Sequence, residues 1–232
     1  MPQFPKLVDK APTGPEWIHE IKFDGYRVQL HVVRKRVTIR TRRGHDWTDK
    51  FPALVKAAAK LPNCIIDAEL CAVDRRGASD FPALLAALHT RSSHLVLFCF
   101  DMPWGPRGDL REHPLLDRKA ALAAALEKAG SPLLRYSAHF EDDGVAIARA
   151  ACAQQLEGIV SKLVDASYRS GKGESWLKTK CRPGIELVIG GWAEKGASFP
   201  SLLVGAYDGG KARLRRQGWH GLQRARPRRP VP

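Results

Sequence analysis

The chain has 232 residues, with 38 Lys and Arg against 24 Asp and Glu, a formal charge of +14. At 44% hydrophobic residues it can bury a sizeable core, which excludes a globally disordered chain. No run of about 18 apolar residues occurs, so a membrane-spanning helix is excluded, and the opening Met1-Pro2-Gln3-Phe4-Pro5-Lys6 lacks the apolar stretch of a signal peptide, so a cytoplasmic location is expected.

In chain order, Val28 to Val33 and Val37 to Thr41 read as two strands joined by the polar Arg34-Lys35-Arg36, a hairpin. Thr48 or Asp49 is expected to cap a helix reaching Leu61, with Phe51, Leu54, Val55 and Ala58 at helical spacing. Cys64 to Val73 reads as a strand ending in an Asp74-Arg75-Arg76-Gly77 turn. Phe81 to Leu88 reads as helix and Leu95 to Phe100 as a buried strand. The Ala/Leu-rich stretch from Leu116 to Lys128 is the clearest helix, stopped by Gly130 and read as core packing. Val145 to Gln155 is a further helix, with Asp142-Asp143 as a charge pair at its start. Leu156 to Lys162, Trp176 to Lys180, Leu187 to Trp192 and Leu202 to Tyr207 read as strands. Strands and helices mix without strict alternation, which favours an α+β fold with antiparallel sheets.

The Arg182-Pro183-Gly184 break is the expected domain boundary. It divides the chain into a domain over 1–183, a partial domain over 184–210 and a tail over 211–232. Lys211 to Pro232 hold one Lys, seven Arg and no acid, leaving +6 on the first 210 residues. That end is read as a disordered basic tail, which binds phosphate backbones weakly and without sequence preference.

Five cysteines, an odd number with no C-x-x-C spacing, are expected to be buried free thiols. The histidines show no H-x-x-x-H spacing, and Gly171-Lys172-Gly173 lacks the rest of a phosphate-loop signature, so a turn is expected there.

Chemistry concentrates elsewhere. In Glu20-Ile21-Lys22-Phe23-Asp24-Gly25-Tyr26-Arg27 a lysine lies between apolar residues at the mouth of a hairpin. Glu69 and Glu157 fall in apolar, strand-like words. Lys178 and Lys180 are two apart on a strand and so share a face. Two cations on an inner sheet face are costly unless an anion lies between them, and a polyphosphate is the obvious one. Two carboxylates in apolar strands are costly unless paired or bound to a metal such as Mg²⁺.

These segments, in this order, resemble the covalent nucleotidyltransferase superfamily, the ATP-dependent DNA ligases in particular. K-x-D-G-x-R matches Lys22, Asp24, Gly25 and Arg27; the arginine-glycine motif matches Arg42-Arg43-Gly44; and Phe98-Cys99-Phe100-Asp101 matches the aromatic-Asp motif. Glu157-Gly158-Ile159-Val160 matches the metal-supporting glutamate motif, and Lys178 and Lys180 match K-x-K. His19 to Arg27 and Tyr168-Arg169-Ser170-Gly171 are especially similar to the bacterial end-joining ligase branch.

The resemblance implies an ATP-grasp-like nucleotidyltransferase domain of antiparallel sheets with flanking helices, followed by an OB-fold barrel. It implies Lys22 as the nucleophile that becomes lysyl-AMP. Glu20, Ile21, Arg27, Arg42, Glu69, Phe100, Ile159, Lys178 and Lys180 would bind ATP: Glu20 on adenine, Phe100 stacked on it, Arg27 and Glu69 on the ribose, Lys178 and Lys180 on the α-phosphate. Glu69 and Glu157 would serve Mg²⁺ or Mn²⁺. It further implies nicked or broken DNA as substrate, a Ku-type end-binding partner and a monomer free of membrane. The likeness stops after Gly210, before the last family motif of the barrel, so an incomplete barrel and impaired self-adenylation are expected. The rival readings are an RNA ligase or capping guanylyltransferase, and a DNA-end-binding remnant without catalysis.

Overall fold

The computed structural model describes residues 2–90, 95–181, 188–195, 198–208 and 211–214. The chain divides into two compact units, Met1–Cys181 and Arg182–Pro232.

The first unit holds two sheets. One has the order β1 (Gln3–Leu7), β11 (Gly171–Lys180), β10 (Gly158–Leu163), β2 (Trp17–Ile21), β9 (His139–Phe140). The other has the order β4 (Arg36–Thr41), β3 (Tyr26–Val33), β5 (Cys64–Ala72), β6 (Leu95–Gly105), β7 (Gly108–Asp109), with β8 (Leu134–Tyr136) also paired to β6. Pairing is antiparallel except for β1 with β11 and β6 with β8. The α+β expectation holds.

Strand alternation decides what each sheet presents. Val28, Leu30 and Val32 of β3, Ile66, Ala68 and Leu70 of β5, and Leu95, Leu97 and Cys99 of β6 enter one core. Helices α1 (Pro52–Ala58), α2 (Phe81–Thr90) and α3 (Leu115–Ala129) pack on that side through Leu54, Leu84, Leu122 and Leu126. The odd-numbered residues of β3 and β5, Arg27, Gln29, His31, Asp67 and Glu69, and the even-numbered ones of β6, Phe98 and Phe100, are therefore turned to the opposite face. On the five-stranded sheet, α4 (Gly144–Ala153) covers Ile159 through Ala151, with Ala11 and Ile21 packed beside them.

Several local expectations change. The helix after the hairpin does not begin at Thr48: Thr48–Lys50 form one 3₁₀ turn, and α1 starts at Pro52 after Phe51 (φ −129°, ψ 63°). Pro52 excludes the helical conformation from the residue before it, which splits the segment. Thr48 instead accepts a hydrogen bond from the Ile39 N–H on β4. Helix α4 has a true cap, the Asp143 side chain accepting from the Ala146 N–H at 2.8 Å. At the hairpin tip Arg34 (φ 49°) and Lys35 (φ 65°) adopt the left-handed region that a tight two-residue turn requires.

The cysteine expectation is corrected in part. Cys64, Cys71 and Cys99 are free and buried, but Cys152 at the end of α4 and Cys181 just past β11 form a disulfide. They are 29 residues apart in sequence, so no local spacing marks them as partners.

In the second unit, β12 (Val188–Lys195), β13 (Ser198–Asp208) and β14 (Lys211–Leu214) form an antiparallel three-stranded sheet. The irregular tail expected from Lys211 is thus corrected over Lys211–Leu214. Those four residues alternate polar and apolar, the period of a strand, which the arginine count had masked. Leu187 and the remainder of the basic end fall outside the described residues.

Candidate active site

Lys22 lies just past β2, and its backbone N–H donates to the Gly158 carbonyl at the start of β10 at 2.9 Å. Gly158 takes φ +145°, and a Cβ there would stand 2.1 Å from the Thr179 carbonyl oxygen. Only glycine lets β10 and β11 approach this closely beside Glu157. Glu157 sits at the entry of β10 rather than within a strand. Its carboxylate takes the Lys22 ammonium on one oxygen and the Lys180 ammonium, at 2.9 Å, on the other.

Lys178 is on the same face of β11 as Lys180. Partial burial, then the charges of Lys22, Lys180 and Arg42, hold its ammonium below the usual lysine range. Lys22 and Lys180 thus meet on one carboxylate, and Lys178 is near enough to feel both charges. Asp24 is raised above its ordinary range by burial and by Glu157.

Beside Lys22 opens a cavity of about 90 Å³, whose walls include Glu20, Arg27, Glu69, Phe100, Lys162 and Trp176. Arg27 runs along its floor, with the guanidinium 4.5 Å from the Phe100 ring centre and 2.9 Å from Asp67. Tyr168 donates its hydroxyl hydrogen to the same Asp67 oxygen and accepts one from the Gln3 N–H at 3.0 Å. Arg27 also donates to the Gln3 carbonyl at 3.2 Å. This knot ties β3 and β5 of one sheet to β1 and the approach to β11 of the other. Arg27 Nε and Trp176 Nε1 are buried without a protein partner. Two orphaned donors beside an aromatic floor suit a ligand carrying oxygen acceptors and a flat ring.

Glu20 is almost fully buried. Its Oε1 accepts from Lys119 at 2.6 Å and from Lys162 at 2.9 Å, and its Oε2 from the Ser137 hydroxyl at 3.0 Å. Burial alone would raise the Glu20 carboxyl; Lys162 and Lys119 overturn that and leave it below the ordinary range. Burial in turn lowers the Lys162 ammonium to about 8, against the support of Glu20. Lys162 also lies 4.6 Å from the Phe100 ring centre and 4.4 Å from that of Trp176.

Glu69 lines the cavity, and burial raises its carboxyl to about 7. Among the described residues no group of three or more His, Cys, Asp or Glu side chains is placed to hold a metal ion alone. Mg²⁺ commonly takes one or two carboxylates together with phosphate oxygens and water. Glu69 and Glu157 fit that lesser role, toward a cation arriving with a polyphosphate.

Arg42 stacks 4.1 Å over the Phe4 ring, and its N–H donates to the Arg27 carbonyl. It borders a wider groove of about 1290 Å³ that shares Arg27 and Glu69 with the cavity and is edged by Arg40, Arg43 and His45.

Of the expected site residues, Arg42, Glu157, Ile159, Lys178 and Lys180 are not among those that line the cavity. Ile159 is fully buried under α4, and its neighbour Val160 lines the wall instead. Ile21, paired with Ile159 in the ladder, borders the cavity but packs its side chain in the same cluster. Lys119, Ser137, Lys162 and Asp67 escaped the sequence reading, and Tyr168 entered it only as part of a family word, without a role. For Lys119 there was a signal: it shares the stripe Leu115, Lys119, Leu122, Leu126, the buried side of α3.

A family model described as ATP dependent DNA ligase domain matches residues 2–180. The chain is 37% identical over 213 residues to the multifunctional non-homologous end joining protein LigD of Pseudomonas aeruginosa, covering 89% of this chain and 25% of that protein. It is 30% identical to the LigD of Mycolicibacterium smegmatis, covering 82% and 25%. It therefore spans about a quarter of the length of these curated relatives. Among solved structures, mycobacterial DNA ligase D complexed with ATP and MES superposes with a TM-score of 0.69 at 24% identity, covering 92% of this chain and 70% of that one. Chlorella virus DNA ligase-adenylate superposes with a TM-score of 0.57 at 14% identity, covering 92% and 83%. At these identities the two structures establish a shared fold.

Proposed function

The chain belongs to the ATP-dependent DNA ligase domain family, and from that premise we propose that it joins DNA ends through an adenylate carried on Lys22. The convergence of Lys22, Lys178, Lys180 and Glu157 beside a cavity floored by Phe100 and Arg27 supports this reading most strongly.

The base of ATP lies against Phe100, with Glu20 at its edge, and the ribose lies over Arg27 and Glu69. Lys178 and Lys180 meet the α-phosphate. An ammonium has no lone pair, so Lys22 must lose a proton before attack. Glu157, which already accepts its hydrogen bond, stands on the route of that proton. The Nζ lone pair then forms a bond to the α-phosphorus as the bond to pyrophosphate breaks. Fixed cations around the phosphate oxygens offset the charge that builds there without reorganisation. Glu69 and Glu157 are the residues that would hold Mg²⁺, whose contribution is to neutralise phosphate charge.

In the second and third steps AMP passes from Lys22 to a 5′-phosphate, and a 3′-hydroxyl attacks that phosphorus and expels AMP. The groove edged by Arg40, Arg42, Arg43 and His45 is the part of the described surface suited to a phosphate backbone. Kinship to proteins named for non-homologous end joining supports a role in break repair, with a Ku-type end-binding protein as partner.

Incubation with α-labelled ATP, denaturing electrophoresis and a nicked duplex tests the reading. The expected result is an adduct lost in Lys22→Ala, and sealing that depends on it. An adduct that survives Lys22→Ala, or one formed from GTP in preference to ATP, would overturn the assignment.

A further inference from the structure

Glu20 is held by three donors in a wall of the cavity, while Lys119, which makes the shortest of those contacts, stands behind the wall and does not line it. An ionised carboxylate offers about four acceptor sites. Lys119 and Lys162 fill both on Oε1, and Ser137 fills one on Oε2. One acceptor is left, on the oxygen held by the cavity-lining Ser137. Lys119 also donates to the Ser137 carbonyl at 2.9 Å, so it fixes the backbone that carries that third donor.

We infer that Lys119 is a positioning residue for base recognition: from behind the wall it pins Glu20 Oε1 and the Ser137 backbone, leaving one Glu20 acceptor turned to the cavity, so that the site takes a purine with a 6-amino group over one with a 6-carbonyl. The inference rests on the reading of the cavity as a nucleotide site. A 6-amino group donates to the remaining lone pair. A 6-carbonyl sets a second acceptor against a buried carboxylate, which leaves both unpaired and is costly.

Removing the Lys119 charge has a consequence that simple loosening lacks. With one cation fewer, the balance at Glu20 moves from the paired cations toward burial, which favours the protonated carboxyl as the pH falls. A protonated Glu20 is a donor, and a donor welcomes the 6-carbonyl. The other groups facing Glu20 are Lys162 from β10, His139 opposite it on β9 and Ser137. Asp101, ion-paired with Arg118, acts on Lys162 from β6.

The test is labelling of Lys22 by ATP and by inosine triphosphate, which carries the 6-carbonyl, in wild type and Lys119→Met between pH 6 and 8. Wild type is expected to prefer ATP strongly. In Lys119→Met the ATP-to-ITP ratio is expected to fall by about tenfold or more, and to fall further as the pH drops, since each ~1.4 kcal/mol is a factor of ten. Circular dichroism reports whether the variant folds; if it does not, Ser137→Ala is expected to show a smaller loss of the ratio with the same pH trend. A folded variant that loses ATP and ITP labelling in equal proportion at every pH would overturn the inference and leave the ligase reading standing. Failure of wild type to label with either nucleotide would overturn the ligase reading and the inference with it.

Discussion

Lys22 and Glu157 are 135 residues apart in the chain and form an ion pair in which both side chains are about one-fifth exposed. The proposed nucleophile is therefore held in place by the carboxylate proposed to receive its proton. Glu157→Gln keeps the hydrogen-bonding shape but removes the charge. It is expected to lower the rate of Lys22 labelling by about 10²-fold, the usual scale for one positioned acid–base group, whereas Lys22→Ala abolishes labelling. Single-turnover labelling measures both.

Gly158 carries the close approach that places Glu157. In Gly158→Ala a Cβ would meet the Thr179 carbonyl oxygen at 2.1 Å, in a backbone conformation that alanine avoids. The expected loss is about 2 kcal/mol or more, combining steric and φ costs, with Lys22 labelling lost as well. Urea unfolding followed by circular dichroism measures the stability.

Tyr168 tests the knot under Arg27. Tyr168→Phe leaves a lone pair of the buried Asp67 unmatched and removes the acceptor of the Gln3 N–H, at an expected cost of about 1–3 kcal/mol. Because the knot positions Arg27 on the cavity floor, KM for ATP is expected to rise by more than kcat falls. Steady-state sealing at varied ATP separates the two.

Lys162 gives a pH dependence. Its folded pKa, about 8, lies below the ordinary lysine value near ~10.4. Between those values the unfolded chain binds more protons than the folded one, so this group's contribution to stability rises with pH. Below about pH 8 the cost of burying the charge is present in full; toward pH 10 it disappears. The melting temperature of wild type relative to Lys162→Met is therefore expected to climb from pH 8 to pH 10. A flat difference would contradict the lowered value.

The exposed Arg43 on the wide groove tests the proposed DNA track. Arg43→Ala is expected to weaken binding to a nicked duplex uniformly across sequences and to reduce the log–log salt slope by about 0.9, the value for one phosphate contact. Fluorescence anisotropy across a salt series measures it.

The candidate site was legible in the sequence where one strand or turn carries it. Lys178 and Lys180 share a face because strands repeat every two residues, and Lys22 stands beside a glycine turn. What stayed hidden depends on pairing between remote elements. Lys119 meets Glu20 across 99 residues and Tyr168 meets Asp67 across 101; the α3 stripe marks Lys119 as buried, but no local pattern foretells either partner. The sheet faces explain Ile21 and Ile159: both lie within motifs, yet alternation turns their side chains toward α4, as the neighbouring Glu20 and Val160 require. The first helix was misplaced because Pro52 outweighs the capping tendency of Thr48.

The disulfide between Cys152 and Cys181 encloses Glu157, all of β10 and all of β11 in a covalent ring. Proteolytic cleavage at any one bond inside that ring leaves the fragment bearing Lys22 attached to the one bearing Cys181. The fragments separate on a denaturing gel only after a thiol reagent is added, and the label on Lys22 then stays with the amino-terminal piece.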